Sequence, residues 1–219
     1  MPNFDPLHAC IAFGPLAMYL LVLGIINLSA RPLVTTGARD LMAVGLAIAG
    51  FAVAGPMELF LPEATAAALG VFVWVLMLVF YALVVLCVAL MLRPRLVIYN
   101  VTSEQLLPVL EEVLGKLDPK FRWVGNSVVS QELGIQLSIE LSPVMKNVQL
   151  VSAGPHQSHT GWSRLHRGLA AALRPVRGIP NPFGATLLTV GILLAGIITW
   201  LLARDPSSVQ QALADMLRQ

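Results

Sequence analysis

Charged residues are scarce in this sequence. Only 12% of its 219 residues are Asp, Glu, Lys or Arg, whereas 57% are hydrophobic. A soluble protein carries about 25% charged residues on average, so the polar side chains are too few to cover a water-soluble fold. The surplus of apolar side chains must face lipid, and the sequence is therefore that of an integral membrane protein.

Other absences narrow the function. The net charge is only +2 and the basic residues are not gathered into one strip, which argues against nucleic acid as a partner. The sequence has no Gly-rich phosphate loop, no nucleophile elbow and no His-Glu-x-x-His zinc helix. The two cysteines, Cys10 and Cys87, lie in separate apolar runs and are expected to be small apolar fillers rather than a disulfide. No enzyme activity and no cofactor are predicted.

Long apolar runs define the membrane topology. The longest extends from Ala64 to Leu92 and ends at Arg93-Pro94-Arg95. About 20 apolar residues in a helix cross the hydrocarbon core, and lipid offers backbone groups no partner outside a helix. Four spans are predicted: 8–28, 41–60 and 64–92 in a three-helix region covering 1–92, and a fourth in 178–204. Residues 205–219 have helical apolar spacing and predict an amphipathic helix on the membrane surface or against a partner.

Small residues four apart mark helix contacts within the spans. Such pairs let two helix backbones approach closely, and a Gly-Pro pair at Gly55-Pro56 is expected to kink the second span. The predicted packing residues are Gly45, Ala49, Gly50 and Ala54 in the second span, and Gly191 and Ala195 in the fourth.

The orientation follows from the positions of Lys and Arg. Ten of them lie between the third and fourth spans and two more, Arg31 and Arg39, follow the first, whereas the other side keeps only Arg204 and Arg218. The positive-inside rule therefore makes residues 93–177 cytoplasmic and places both termini outside. Frequent Ala, Leu, Val and Arg with few Lys are typical of a GC-rich bacterial gene, which suggests the bacterial cytoplasmic membrane.

Two helices are predicted in the cytoplasmic segment. Thr102 and Gln105 have the spacing of a capping box and open the first helix. Its apolar stripe is Leu106, Leu110, Val113, Leu114 and Leu117, and the second helix, from about Thr160 to Leu173, has Trp162, Leu165, Leu169 and Leu173 on one face.

Strands are predicted around these helices. Leu96 to Asn100 is rich in β-formers, a Gly125-Asn126 turn separates two short runs, and Ile135 to Leu141 alternates between apolar and polar residues. A further strand is expected from about Asn147 to Ser152. The order, summarised as β-α-β-β-β-α, predicts a small α+β domain in 93–177 with a split-βαβ, ferredoxin-like packing.

A basic edge is the first candidate binding site. Juxtamembrane arginines gain free energy near anionic lipid, although they can also do no more than enforce topology. The four members of this edge are Arg164, Arg167, Arg174 and Arg177.

Glu58 and three histidines are further candidates for a functional site. Glu58 is the only carboxylate within a predicted span, which makes it a candidate intramembrane functional residue, but at the end of the span it can reach water. His156, His159 and His166 form the only metal-like cluster, and no Cys or acidic ligand lies close to them in sequence. No metal site is predicted.

These observations favour a non-enzymatic integral membrane protein. Its cytoplasmic domain is expected to bind a partner protein, membrane lipid or another copy of the chain, as a subunit of a larger assembly. The alternative is a small transporter or channel, which four spans could form only as an oligomer. A third reading, an enzyme using Glu58 or the histidines, has the least support.

Overall fold

The structure is a computed structural model that describes residues 6–57, 72–142, 147–155, 157–204, 206, 207 and 210. Its residues separate into two compact units. The helical unit comprises Met1–Leu23, Leu41–Val88 and Thr186–Gln219, and the sheet unit comprises Gly24–Asp40 and Ala89–Ala185.

The described secondary structure alternates between long apolar helices and a run of short strands. In chain order the elements are α1 (Pro6–Leu28), β1 (Leu33–Thr36), α2 (Gly37–Ala52), α3 (Phe72–Met91), β2 (Arg95–Tyr99), α4 (Ser103–Leu117), β3 (Arg122–Val124), β4 (Ser127–Ser130), β5 (Ile135–Ser142), β6 (Asn147–Ser152), α5 (His159–Ala172) and α6 (Phe183–Arg204).

Four of these helices are long and apolar enough to cross a membrane: α1, α2 with its continuation to Gly55, α3 and α6. The prediction of a multi-pass membrane protein is confirmed at this level. A π-helical turn, Val53–Met57, extends α2 at the predicted Gly-Pro kink, as is usual where a proline interrupts the hydrogen-bond ladder. The second span also begins earlier than predicted, so that Arg39 lies in the first turn of α2 and not in a loop.

Some sequence predictions fall outside the described residues. These are Glu58, residues 64–71 of the third span and nearly all of the amphipathic segment 205–219.

The three predicted glycines of the helical unit lie at contacts between helices. A Cβ atom added to Gly50 would collide with the carbonyl oxygens of Ile11 and Ala12 on α1. One added to Gly45 would lie 2.7 Å from a methyl carbon of Val85 on α3. A Cβ at Gly191 would lie 3.1 Å from Leu21. The other three predicted packing residues, Ala49, Ala54 and Ala195, are half-buried.

A single antiparallel sheet forms the core of the sheet unit, with strand order β1-β2-β6-β5-β4-β3. Strand β1 corrects the sequence analysis, which treated residues 29–40 as a loop. Leu33 pairs with Tyr99 and Thr36 with Leu96, so that β1 extends the sheet beyond β2. Four residues are too few to give a period-2 signal, and the partner strand lies more than 60 residues later in the chain.

The strand count differs from the predicted order as well. Four strands follow α4 rather than three, because the segments on either side of the Gly125-Asn126 turn form the separate strands β3 and β4. Helix α4 carries the chain from β2 to the far edge of the sheet, and β3 to β6 return as a meander. A small α+β fold is therefore present, but the ferredoxin-like order is not confirmed.

Helices α4 and α5 cover one face of the sheet, and their apolar stripes are the predicted ones. Leu106, Leu110, Val113 and Leu114 of α4 are buried, and so are Trp162, Leu165, Leu169 and Leu173 of the second helix and the turn after it. Ile135, Leu137 and Ile139 of β5 are buried beneath them, which confirms the predicted alternation. This core packs the two helices side by side.

The opposite face of the sheet is mostly polar. Gln136 and Ser138 are half-buried there and Glu140 is exposed. Near β2 the same face is shielded from solvent. Val97 and Tyr99 are buried there, and the Tyr99 hydroxyl donates to Asp40 Oδ1 of α2 at 2.8 Å.

Candidate functional site

Three buried asparagines fix the ends of two predicted spans within the sheet unit. Asn27, Asn100 and Asn181 are 4%, 1% and 1% exposed. Asn100 follows β2 in a left-handed conformation, with φ of 61°, which asparagine adopts more readily than most residues. Its Nδ2 donates to the carbonyls of Ile26 at 2.6 Å and Ser29 at 3.1 Å, at the end of α1, where the Ile26 carbonyl also accepts the Ser29 N–H at 3.2 Å.

Asn181 connects the end of α1 to the start of α6. Its backbone N–H donates to the Asn27 carbonyl at 2.7 Å, and its Nδ2 lies 3.4 Å from Asn27 Oδ1. Its own Oδ1 accepts the backbone N–H of Phe183 at 3.1 Å, in the manner of a helix cap. The last turn of the first span and the first turn of the fourth are thus joined directly.

The chain just before α6 runs alongside the chain just after α1. The Gly178 N–H donates to the Ala30 carbonyl at 2.8 Å, and the Ile179 N–H donates to the Asn100 carbonyl at 3.0 Å. A Cβ atom on Gly178 would lie 2.8 Å from the Asn100 oxygen and 3.2 Å from the Ala30 oxygen. Only glycine allows this approach. In the sequence Arg177 precedes Gly178, and Arg31 follows Ala30.

The predicted basic edge is partly a helix face and partly the segment that follows it. Arg164 and Arg167 lie on the outer side of α5, and Arg174 and Arg177 follow its end. All four are exposed, and none has a carboxylate within 4.0 Å among the described residues. Arg31 is also exposed, and it follows Ala30, whose carbonyl accepts the N–H of Gly178 after Arg177.

Acidic residues occupy the neighbouring helix of the same layer. Glu104, Glu111 and Glu112 of α4 are all exposed. Lys116 donates to Glu112 at 2.6 Å, and this contact lowers the pKa of the Glu112 carboxyl. The two helices that pack side by side over the sheet therefore expose opposite charges.

A buried carboxylate that the sequence analysis missed closes the far end of α4. Asp118 is fully buried; its Oδ2 accepts the Ser130 hydroxyl at 2.6 Å and the Glu132 N–H at 3.2 Å. The Lys120 N–H donates to the other oxygen at 2.9 Å. These bonds, that from Ser130 above all, outweigh desolvation and hold the pKa of Asp118 below its usual value. Its role is to organise two turns, and the Asp118-Pro119 pair gave no sign of it.

The two histidines of this group that the structure describes, His159 and His166, have separate surroundings. His166 Nε2 lies 3.4 Å from the Val34 carbonyl, His159 is exposed at the start of α5, and His156 lies outside the described residues. Within the part of the chain that the structure describes, no three His, Cys, Asp or Glu residues are placed to hold a metal ion.

Strand β3 forms the outer edge of the sheet opposite β1. Its three residues are exposed, among them Trp123 and Val124, and it pairs only with β4. Exposed apolar residues on an edge strand are an aggregation risk unless something limits pairing. The strand is only three residues long and carries Arg122, and both features limit edge-to-edge pairing.

No family model matches this chain, and no curated protein or solved structure matches it either. Function is therefore inferred from the surfaces themselves.

Proposed function

We propose that this is a non-enzymatic multi-pass membrane protein whose sheet unit is a cytoplasmic interaction module. The sheet unit binds a partner protein and the lipid surface, and the protein is a subunit of a larger assembly. The observation that carries the proposal is the sorting of charge on the helix layer, acidic on α4 and basic on α5, with Arg174 and Arg177 beyond it.

The cytoplasmic placement rests on the distribution of basic residues. Ten of the 14 Lys and Arg residues lie between α3 and α6. Cytoplasmic segments carry this excess because translocating it is unfavourable. A bacterial cytoplasmic membrane is the corresponding location, in keeping with the residue composition.

The acidic side of the layer is the proposed protein-binding surface. Glu104 and Glu111 are seven residues apart on α4, which is two helical turns, so they lie on one line along its exposed side. Leu107, exposed between them, adds apolar area. Charged groups around an apolar contact set partner choice and the rate of association.

The alternative function, an oligomeric transporter, has less support. In the described parts of the four spans, the charged residues are Arg39, Asp40 and Arg204, and all three lie in a first or last turn. Ion coupling usually places an ionisable group near the middle of the membrane.

The proposal is tested by crosslinking in the native membrane, extraction in mild detergent and mass measurement of what travels with the protein. We expect a stoichiometric second protein. The variant Glu104→Lys with Glu111→Lys should lose it, because the attraction along α4 is reversed. The control, Glu140→Lys, reverses an exposed charge on the sheet face opposite the helix layer and should retain it.

Two results would contradict the proposal. One is a clean homo-oligomer that conducts ions in liposomes, which would favour the transporter. The other is a partner retained equally by the α4 variant and by its control, which would remove the helix layer as the binding surface.

A further inference from the structure

We propose that Arg31, Arg174 and Arg177 form a binding site for the phosphate of an anionic glycerophospholipid headgroup. The inference rests on the proposed function, whose membrane-surface contact it assigns to particular residues and to one class of lipid.

Backbone hydrogen bonds join the segment that carries Arg31 to the segment that carries Arg177. The Gly178 N–H bonds to the Ala30 carbonyl at 2.8 Å, and the Asn181 N–H bonds to the Asn27 carbonyl at 2.7 Å. The order of these two bonds shows that the segments run in opposite directions. In this antiparallel order Arg31, one residue after Ala30, and Arg177, one residue before Gly178, are the next pair.

Holding two arginines together is unfavourable without an anion. Like charges directly opposite each other on paired chains destabilise the pairing. Both side chains are exposed, and neither has a carboxylate within 4.0 Å among the described residues, Glu104 included. Arg174, three residues before Arg177, adds a third positive charge to the same segment. A phosphate would neutralise this cluster.

The backbone at both arginines is held in place before any ligand binds. Asn100 Nδ2 lies 3.3 Å from the Arg31 carbonyl, and Gln105 Nε2 lies 3.5 Å from the Arg177 carbonyl. A ligand need not order these segments, so less conformational entropy is lost on binding. Arginine is also the side chain that matches phosphate oxygens with two parallel N–H donors.

The position along the chain selects a lipid phosphate over a soluble one. Arg31 comes three residues after the end of α1, and Arg177 comes six residues before the start of α6. Both helices are membrane spans by length and composition. Residues so close to span ends lie at the level of the headgroups, where anionic lipid attracts Lys and Arg.

The experiment uses the full-length protein purified in a neutral detergent. Native mass spectrometry follows the binding of phosphatidylglycerol and, in parallel, of phosphatidylcholine with the same acyl chains. Inorganic phosphate is a third arm, and its ability to displace bound phosphatidylglycerol is measured. We expect selective retention of phosphatidylglycerol that millimolar phosphate does not displace.

Variants then locate the site. Arg31→Gln with Arg177→Gln should lower phosphatidylglycerol affinity at least about tenfold, because charge-assisted bonds are lost. Arg31→Lys with Arg177→Lys keeps the charge and should lose part of this affinity. Lys120→Gln with Arg122→Gln removes two exposed charges at the far edge of the sheet and should bind as the unaltered protein does. Gel filtration confirms that each variant is folded.

Several outcomes would overturn the proposal. These are equal binding of both lipids, displacement by inorganic phosphate, or unchanged lipid binding by the Arg31→Gln, Arg177→Gln variant. If that variant fails gel filtration, the Arg31→Lys, Arg177→Lys variant decides: unchanged affinity excludes arginine-specific recognition.

The experiments distinguish failure of the lipid-site proposal from failure of the protein-binding proposal. Arg31→Gln with Arg177→Gln should still crosslink to the partner protein, whereas Glu104→Lys with Glu111→Lys should still bind phosphatidylglycerol. If the arginine variant lost its crosslink to the partner protein but still bound phosphatidylglycerol, these residues would belong to the protein-binding surface. The lipid site would then be rejected.

Discussion

The backbone N–H of Asn181 donates to the carbonyl of Asn27 at 2.7 Å, although 154 residues separate the two positions. Both side chains are buried, and one residue ends the first span while the other precedes the fourth. The sheet unit is thereby more than a domain inserted between two helices. It contains the last turn of α1 and the entry to α6 as part of its own folded structure.

Replacing Asn100 should destabilise this junction. Asn100→Ala removes the donor that serves three carbonyls and places an alanine at positive φ. We expect a loss of about 1 to 2 kcal/mol in unfolding free energy from the lost hydrogen bonds, because the Ile26 carbonyl keeps the Ser29 N–H and the Arg31 carbonyl keeps the Ser29 hydroxyl. Asn100→Gly removes the same donor without backbone strain and should lose less. Thermal unfolding in detergent measures both, and a midpoint unchanged in both variants would contradict the assigned role of the side chain.

Two glycines provide a matched pair for the close approach at Gly178. Gly178→Ala puts a methyl group 2.8 Å from the Asn100 carbonyl oxygen, and we expect it to cost about 1 to 3 kcal/mol of stability. Gly115→Ala, on α4, meets nothing within 4 Å and should gain up to about 1 kcal/mol from helix propensity. Chemical denaturation in detergent gives both values. Equal stability of the two variants would refute the steric requirement at Gly178.

Asp118 predicts a loss of stability in acid. Hydrogen bonds, first that from Ser130, hold its pKa in the folded protein below the unfolded-state value of about 3.9. Its contribution is therefore complete above that value and is lost as the pH falls towards the lower folded-state pKa. Asp118→Asn should flatten the decline in unfolding free energy between about pH 5 and about pH 3, which is the range around the unfolded-state pKa.

A second variant separates the cause of this pH dependence. Ser130→Ala removes the largest stabilising bond to the carboxylate and should flatten the same decline part of the way. The measurement is the thermal midpoint as a function of pH. Identical pH profiles for the unaltered protein and Asp118→Asn would show that other groups produce the acid sensitivity.

The proposed orientation can be read by cysteine labelling. In a background with Cys10 and Cys87 replaced by alanine, a cysteine at the exposed position Asn126 should be unreactive to a membrane-impermeant maleimide in intact cells and reactive after lysis. A cysteine at Gln210, after α6, should react in intact cells. Labelling of the Asn126 cysteine from outside would reverse the topology.

Local patterns predicted most of the elements correctly. Leu106, Leu110 and Leu114 recur at helical spacing and are buried, and Ile135, Leu137 and Ile139 recur at strand spacing and are buried. These residues sit within one short segment, so the period of their side chains is visible without knowledge of the partner. The apolar runs of α1, α3 and α6 predict spans for the same reason, because the length of a single helix is compared with the thickness of the bilayer.

The features that were missed depend on partners far away in the chain. Leu33–Thr36 becomes a strand only because β2 offers it an edge, and nothing within those four residues requires it. Asn100 and Asp118 look like ordinary turn residues until their burial and hydrogen bonds are known. The hydrogen bond between Gly178 and Ala30, which joins the segments that carry Arg177 and Arg31, likewise has no local signal.

Membrane spans, helical segments and the apolar sides of those segments can be predicted from the amino-acid sequence alone. Each of these depends on interactions within one segment, or between that segment and a uniform solvent, water or lipid. The strand order, the sixth strand and the hydrogen bonds among Asn27, Asn100, Asn181 and their neighbours become visible only in the folded protein. Those features depend on which distant segments pack together. Such packing cannot be judged from one segment, because the buried polar groups of both segments must find hydrogen-bond partners at the same time.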